Sequence, residues 1–297
     1  MPFGLLTGLG AALAWGTMDI LSALTGRRIG SLRVTAGISV VGVILLAVAA
    51  AATGTGLPVD TTTLAICALL GVIGAGAYLA YFTGLQIGPI AVVSGMVAAY
   101  GGLTVVLAVI IRGETLTTVQ AAGAAIATIG VILTGVAFDG GWRATRLAGP
   151  GVIFALVALV LFSLMAITTD IALETAGWLQ VLLSSRLVTA TISVVAVAVL
   201  AIAARRSEPS LTGEFEIWRR RRVIPILILA GTLDVLGLMS FAIGLETAPT
   251  WMVGLASSFG PAVTIIVAVV FFGERLKPIQ WLGLVGIGVG MIAIALP

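Results

Sequence analysis

Apolar runs of about twenty residues alternate with short polar or glycine-rich breaks along the whole chain. A helix that rises about 1.5 Å per residue needs roughly twenty apolar residues to cross the hydrocarbon of a bilayer. The longest polar stretch, Arg205 to Arg222, is predicted to be a loop, as is Gly26 to Arg28. The pattern predicts ten transmembrane helices at residues 3–24, 33–52, 64–86, 90–111, 117–137, 149–171, 178–203, 223–246, 249–272 and 277–296.

Part of the sequence repeats after 160 residues. Residues 81–132 and 241–292 are identical at 14 of 52 positions, whereas shared composition alone would give about five. The matches include Gly84/Gly244, Pro89/Pro249, Gly113/Gly273, Glu114/Glu274, Gln120/Gln280, Gly123/Gly283 and Gly130/Gly290.

The repeat predicts two five-helix units, residues 1–140 and 147–297. Because five crossings are an odd number, the second unit must be inverted relative to the first. Inverted repeats are typical of secondary transporters, which alternate access around a site near the membrane midplane. The predicted fold is therefore an all-α integral membrane protein with ten transmembrane helices in two inverted five-helix repeats around a central cavity.

Basic residues lie mainly in the loops after the odd-numbered predicted helices. The opposite side holds only Arg112, with Arg186 inside a span. By the positive-inside rule, the arginine-rich loops face the cytoplasm and both termini face outward. The basic set comprises Arg27, Arg28, Arg143, Arg146, Arg205, Arg206, Arg219 to Arg222, Arg275 and Lys277.

Composition excludes a soluble protein and several enzyme classes. The chain is 60% hydrophobic and 9% charged, against about 45–50% and about 25% in soluble domains. It contains no histidine and one cysteine, Cys67. This excludes Ser-His-Asp and Cys-His nucleophiles, histidine-based zinc motifs and an intramolecular disulfide. The net charge of +3 is explained by orientation in the membrane, so nucleic acid is not an expected partner.

Two stretches share the pattern G-E-x-L-x-x-x-Q-x-x-G, from Gly113 to Gly123 and from Gly273 to Gly283. With Trp15-Gly16 in the first span, they resemble the EamA-type ten-helix transporters of the drug/metabolite transporter superfamily along essentially the whole chain. The resemblance implies export or exchange of small metabolites, often amino acids, through a central cavity. It does not imply which solute is carried, and many relatives are described with cytoplasmic termini, opposite to the prediction from charge.

Asp234 lies near the middle of the predicted eighth span. A charge at that depth costs about 2.5–3.5 kcal/mol on insertion scales, so it needs an explanation. Two explanations stay open. Asp234 could bind a proton or a cation during transport, or it could form a buried ion pair with Arg186.

Other charged residues favour a structural role. Asp19 and Arg33 flank the first turn, and Asp170 and Arg186 occupy comparable places in the second unit. We expect ion pairs there, because a carboxylate and a guanidinium lower each other's cost of burial. Asp19 is also a candidate for substrate binding, since it shares a helix face with Trp15. Helix-end contacts are expected for Glu114 and Glu274.

Aromatic, thioether and hydroxyl side chains recur at helical spacing in several spans. All three tyrosines lie inside the third and fourth spans, where each hydroxyl needs a partner that a wet cavity would supply. Any single one of these residues could instead contact lipid or pack in the core. The predicted substrate-binding set is Trp15, Asp19, Tyr78, Tyr81, Met96, Tyr100, Phe162, Met165, Asp234, Leu238, Phe241, Ser257 and Ser258.

Gly101-Gly102 and Gly260-Pro261 lie at nearly matched positions midway along the fourth and ninth spans. Interrupted helices in corresponding places of two halves indicate a transport site and could act as hinges. A simple proline kink is the alternative. The resembled family has a proline here in each unit, which Pro261 keeps and Gly101 replaces.

The leading hypothesis is a secondary active carrier for small metabolites such as amino acids or amphipathic organic cations, driven by a proton or solute gradient. The alternatives are an intramembrane enzyme acting on a lipid-linked substrate, and a channel, for which a ring of like charges would be expected. Neither a cofactor nor a metal is predicted. The expected partners are the solute and membrane lipid, in a monomer or homodimer in the cell inner (plasma) membrane.

Overall fold

The computed structural model describes residues 2–88, 90–135, 150–207, 213–260, 262–263 and 278–295. Within these ranges the chain is almost entirely α-helical and contains no β-strand. The helices are α1 (Pro2–Ile29), α2 (Ser31–Thr53), α3 (Thr61–Ile87), α4 (Ile90–Ala98), α5 (Tyr100–Arg112), α6 (Thr118–Gly135), α7 (Pro150–Leu173), α8 (Trp178–Ser207), α9 (Gly213–Leu245), α10 (Thr250–Ser257) and α11 (Pro278–Ala295).

Seven helical segments in the described ranges are long and apolar enough to cross a membrane, and two further apolar helices, within α6 and α11, are shorter. Large apolar side chains such as Leu6, Ile110 and Ile292 are more than half exposed. Such a surface suits hydrocarbon and not water. The predicted all-α integral membrane fold is confirmed, and the protein is a multi-pass membrane protein. The predicted ninth span lies outside the described residues after residue 263.

Two predicted loops are wholly or partly helical. Gly26 to Arg28 belongs to the last turn of α1, which ends only before Gly30, where the backbone turns with a positive φ of 89°. Of the stretch Arg205 to Arg222, the first three residues end α8 and residues 213–222 begin α9. The predictions were wrong because arginine is a good helix former, so a helix can continue past the apolar layer into water.

Close helix pairs rely on glycine. A Cβ atom on Gly123 of α6 would lie 2.9 Å from the carbonyl oxygen of Gly290 in α11, and one on Gly130 would lie 2.7 Å from that of Gly283. These contacts leave no room for a side chain, as in other small-residue helix contacts in membranes. The residue numbers run in opposite directions, so α6 and α11 are antiparallel. The helices α1 and α9 pack together, as do α3 and α7, and α2 and α8.

The fourth and ninth spans are interrupted. The break between α4 and α5 falls at Ala99, whose N–H bonds to the carbonyl of Met96 at 3.1 Å. The helix α10 ends at Ser257, and the N–H of Ser258 bonds to the carbonyl of Leu255 at 3.2 Å. The breaks therefore lie one to two residues before the predicted positions, Gly101-Gly102 and Gly260-Pro261. The prediction relied on glycine and proline, but a short turn with an i to i−3 hydrogen bond needs no glycine. Pro261 lies outside the described residues.

Candidate functional site

A central cavity of about 70 Å³ lies among α1, α3, α4, α5, α7, α9 and α10. Ten of the thirteen residues predicted to bind substrate line this cavity: Trp15, Asp19, Tyr78, Tyr81, Tyr100, Phe162, Met165, Phe241, Ser257 and Ser258.

The other three predicted residues lie elsewhere. Met96 is partly buried against a cluster of core side chains. Leu238 lines a smaller pocket of about 20 Å³ that is also lined by Arg186. Asp234 is fully buried and does not line the central cavity. Sequence reasoning placed these three in the cavity because helical spacing identifies a face but not which neighbour covers it.

Six lining residues were not predicted. Met18 could have been found, because it lies one turn after Trp15 on the same helix face. The remaining ones are small, apolar or singly hydroxylated and carry little chemical signal. They are Ser94, Val97, Ala98, Ala166 and Gly260.

One carboxylate faces the cavity. The hydroxyl of Tyr81 on α3 donates a hydrogen bond to Oδ2 of Asp19 on α1 at 2.7 Å. Asp19 is only partly buried, and it forms no ion pair with any described arginine or lysine. The cavity therefore contains an acidic group without a fixed cationic partner among the described residues.

A second polar pair lies on α5 and α10. The hydroxyl oxygens of Tyr100 and Ser257 are 2.7 Å apart, and Ser257 also donates to the carbonyl of Gly254 at 2.9 Å. We expected water to satisfy the tyrosine hydroxyls, but each of the three has a side-chain partner.

Aromatic rings form most of the remaining wall. The centroid of the Phe162 ring on α7 lies 5.6 Å from the ring centroid of Tyr78, 5.8 Å from that of Tyr81 and 5.9 Å from that of Tyr100. Trp15 and Phe241 also line the cavity, with their ring centroids 5.7 Å apart. Ring faces attract cations as well as apolar groups. The cavity thus combines one carboxyl group with an aromatic lining.

The buried carboxylate of Asp234 is fully occupied. Arg186 donates to its Oδ2 at 2.6 Å, and Tyr78 donates to its Oδ1 at 2.6 Å. Arg186 is 4% exposed and Asp234 0%. Of the two explanations for Asp234, the structure contains the ion pair with Arg186.

The two other predicted ion pairs are wrong. Asp19 pairs with Tyr81 and not with Arg33, whose guanidinium is exposed and donates to the carbonyl of Ile29 at 3.3 Å. An exposed guanidinium needs no buried partner, because water solvates it. Asp170 pairs at 2.6 Å with Arg112 and not with Arg186.

The helix-end role predicted for Glu114 is confirmed. Its two carboxylate oxygens accept hydrogen bonds from the backbone N–H groups of Thr250 at 2.8 Å and Trp251 at 3.0 Å, at the start of α10. A carboxylate at a helix N-terminus also interacts favourably with the helix dipole. Glu274 lies outside the described residues. Across the described ranges, no cluster of three or more His, Cys, Asp or Glu side chains could hold a metal ion.

Both halves of the chain match one known protein family. The EamA-like transporter family matches residues 2–136 and again residues 149–296. The chain belongs to the EamA-like transporter family. The resemblance seen in the sequence is thus confirmed, and this member of the family is a membrane transporter.

Two known proteins are similar to this EamA-like transporter. The spermidine export protein MdtI of Salmonella arizonae is 38% identical over 78 residues, which is 26% of this chain and 70% of that protein. A solved crystal structure of a protein aligns with a TM-score of 0.76 at 21% identity and covers 98% of this chain and 96% of its own. At that identity the second likeness supports the fold alone.

Proposed function

We propose that this EamA-like transporter is a secondary carrier that exports a small amphipathic organic cation across the cell inner membrane. The cation binds at Asp19 in the central cavity. One observation supports this most strongly. The cavity contains a single carboxylate, which forms no ion pair with a described arginine or lysine, and its wall is lined with aromatic rings.

The charge of the cavity favours a cation over an amino acid. An amino acid carries a carboxylate, which needs a cationic or strongly donating partner when it leaves water. Among the described residues, no arginine or lysine lines the cavity, and the buried guanidinium of Arg186 is paired with Asp234. An organic cation instead gains the carboxylate of Asp19 and the faces of Trp15 and Phe162.

The single charge also supports coupling to protons. A carboxylate surrounded by apolar groups is costly to leave ionised and uncompensated. Either a proton or a bound cation removes that cost, and both cannot occupy Asp19 together. Protons moving inward would then displace the organic cation outward. The similarity to a protein named as a spermidine exporter is consistent with export of a cation.

The architecture supports alternating access. We interpret residues 1–140 and 147–297 as inverted five-helix repeats, since α6 and α11 contain matched sequence motifs and pack antiparallel through their glycines. By the repeat, α1 corresponds to α7 and α9 corresponds to α3. The two corresponding pairs are both in contact, since α1 packs on α9 and α7 packs on α3. Halves related by such symmetry can rock around the cavity between them and expose it to one side at a time.

Equilibrium binding and transport by the purified protein test the proposal. We expect phenethylamine, but not phenylalanine, to raise the melting temperature, because a ligand that binds the folded state stabilises it. In proteoliposomes, unlabelled phenethylamine inside should stimulate uptake of labelled phenethylamine, as in exchange by a carrier and unlike a channel or an enzyme.

Asp19→Asn should abolish both signals, while Glu246→Gln, which neutralises an exposed carboxylate outside the cavity, should leave both unchanged. Stabilisation by phenylalanine alone would contradict the proposal. Phenethylamine exchange that persists at full rate in Asp19→Asn would contradict it as well.

A further inference from the structure

We infer that the substrate is a monoamine with a second, uncharged hydrogen-bond donor across an aromatic body, and that polyamines are discriminated against. The inference rests on the proposed function and specifies the chemical class of its substrate. It is carried by the single carboxyl group in the cavity, by its presence in only one of the two matched halves and by a second, neutral polar pair in the same cavity.

The cavity offers one acidic group. Asp19 is the only acidic residue among those lining it in the described part of the chain. Asp234 offers no second site, because both of its oxygens are occupied by Arg186 and Tyr78 at 2.6 Å each and its side chain is 0% exposed. A second ammonium group in the cavity would be desolvated without an anionic partner, which is unfavourable.

Matched contacts define which residues of α1 and α7 correspond. A Cβ atom on Gly4 of α1 would overlap with Cβ of Ala248, and one on Gly151 of α7 would lie 3.0 Å from Cα of Gly88. Gly88 and Ala248 are themselves matched by the 160-residue repeat. Gly4 therefore corresponds to Gly151, and the two helices can be aligned from that point.

With this alignment, matched positions of the two halves line the cavity with different chemistry. Trp15 corresponds to Phe162. Asp19 corresponds to Ala166, and the 160-residue repeat pairs Tyr81 with Phe241. All of these residues line the cavity. The second half therefore lacks both the carboxylate and the hydroxyl that bonds to it, so a symmetric dication would find a partner at only one end.

The second polar pair is neutral and accepts hydrogen bonds. Ser257 donates to the carbonyl of Gly254 at 2.9 Å, so the bond between Ser257 and Tyr100 is donated by Tyr100. The oxygen of Tyr100 then keeps a lone pair for a ligand. The rings of Tyr100 and Tyr81 each lie within 6 Å of Phe162. A substrate body lying over Phe162 can therefore reach both polar pairs.

Binding of three probe amines to the protein in nanodiscs tests this assignment. Tyramine should bind about threefold to tenfold more tightly than phenethylamine, since its hydroxyl can donate to Tyr100 and one neutral hydrogen bond contributes about that much. Spermidine should bind at least tenfold more weakly than either. Tyr100→Phe should remove the advantage of tyramine over phenethylamine, while Thr232→Ala, on an exposed hydroxyl outside the cavity, should preserve the order.

A gain-of-charge variant provides an independent arm. Ala166→Asp adds a carboxylate at the position that corresponds to Asp19, and should strengthen spermidine binding at least tenfold relative to Ala166→Asn. If Ala166→Asp fails to fold, the comparison of tyramine with phenethylamine in Tyr100→Phe still tests the monoamine assignment.

The outcomes separate the two levels of the proposal. Tighter binding of spermidine than of tyramine by the unmodified protein would overturn the monoamine assignment, and so would equal binding of tyramine and phenethylamine. In either case amine binding that depends on Asp19 would leave the proposed function standing. If no amine binds, the proposed function itself fails.

Discussion

Arg186 and Asp234 form an ion pair, 2.6 Å long, that joins α8 to α9 in the interior of the protein. The guanidinium also lies over the ring of Tyr78, 5.1 Å from its centroid. Tyr78 lines the central cavity on its other side. The pair therefore contacts a residue of the cavity wall, and its two charges compensate each other in the protein interior.

We expect removal of either charge to destabilise the protein strongly. Asp234→Asn or Arg186→Met leaves one buried charge without a partner, which typically costs about 3–5 kcal/mol. The double variant should recover much of this loss, because neither charge then remains. Thermal unfolding in detergent measures all three.

The double variant should also retain stabilisation by phenethylamine. A stable double variant that binds the amine but no longer couples its transport to a proton gradient would contradict a purely structural role for Asp234.

The sequence predicted the fold and the family because both depend on local patterns. Apolar runs of span length identify helices in a bilayer whatever their neighbours are. The paired G-E-x-L segments from Gly113 and Gly273 identified the family. Most cavity residues were predictable for the same reason, since an aromatic stripe at helical spacing such as Tyr78 and Tyr81 marks one face of one helix.

Partners of charged residues were not predictable, because they depend on the register between helices. The sequence suggested that Arg33 and Arg186 correspond. In the structure, the matched glycines Gly71 and Gly231 pack against Val188 and Val41, so Val188 corresponds to Val41. Arg186 then corresponds to Ser39, two residues before Val41. The exposed position of Arg33 and the buried position of Arg186 follow from this shift.

Asp170 and Glu174 both pair with Arg112, but we expect different contributions. The Asp170 side chain is 13% exposed and that of Glu174 58%. Exposed ion pairs contribute about 0–1 kcal/mol and are screened by salt. Asp170→Asn should therefore lower the melting temperature more than Glu174→Gln does.

Thermal unfolding at low and high salt distinguishes the two acids. The small effect of Glu174→Gln should disappear in 1 M salt, where the Debye length is about 3 Å, whereas that of Asp170→Asn should persist. Equal losses in the two variants, both abolished by salt, would show that burial does not set their strength.

Glu114 should be needed for the start of α10. It accepts from the N–H groups of Thr250 and Trp251, two residues that are each 1% exposed. Glu114→Ala leaves both donors unsatisfied, at about 1–3 kcal/mol each. Glu114→Gln keeps one acceptor oxygen and should lose about half as much. Thermal unfolding, with Glu246→Ala as an exposed control, measures the difference, and equal stability of the Ala and Gln variants would contradict this role.

Two glycines on α11 give a matched test of how the last helix packs. A Cβ atom on Gly290 would lie 2.6 Å from the carbonyl oxygen of Gly123 and 2.7 Å from Cβ of Ala127, whereas one on Gly288 meets nothing within 4 Å. Alanine is about 1 kcal/mol better than glycine inside a helix, so Gly288→Ala should be neutral or stabilising. Gly290→Ala forces α6 and α11 apart and should cost about 1–3 kcal/mol.

Both substitutions replace glycine by alanine in the same helix, only two residues apart. The difference between their melting temperatures therefore measures the contact between α6 and α11. Ala127→Gly in the Gly290→Ala background removes one of the three clashing atoms and should restore part of the loss. A Gly290→Ala protein as stable as Gly288→Ala would mean that α6 and α11 do not pack as closely as described, and the antiparallel glycine contact between the two matched helices would have to be abandoned.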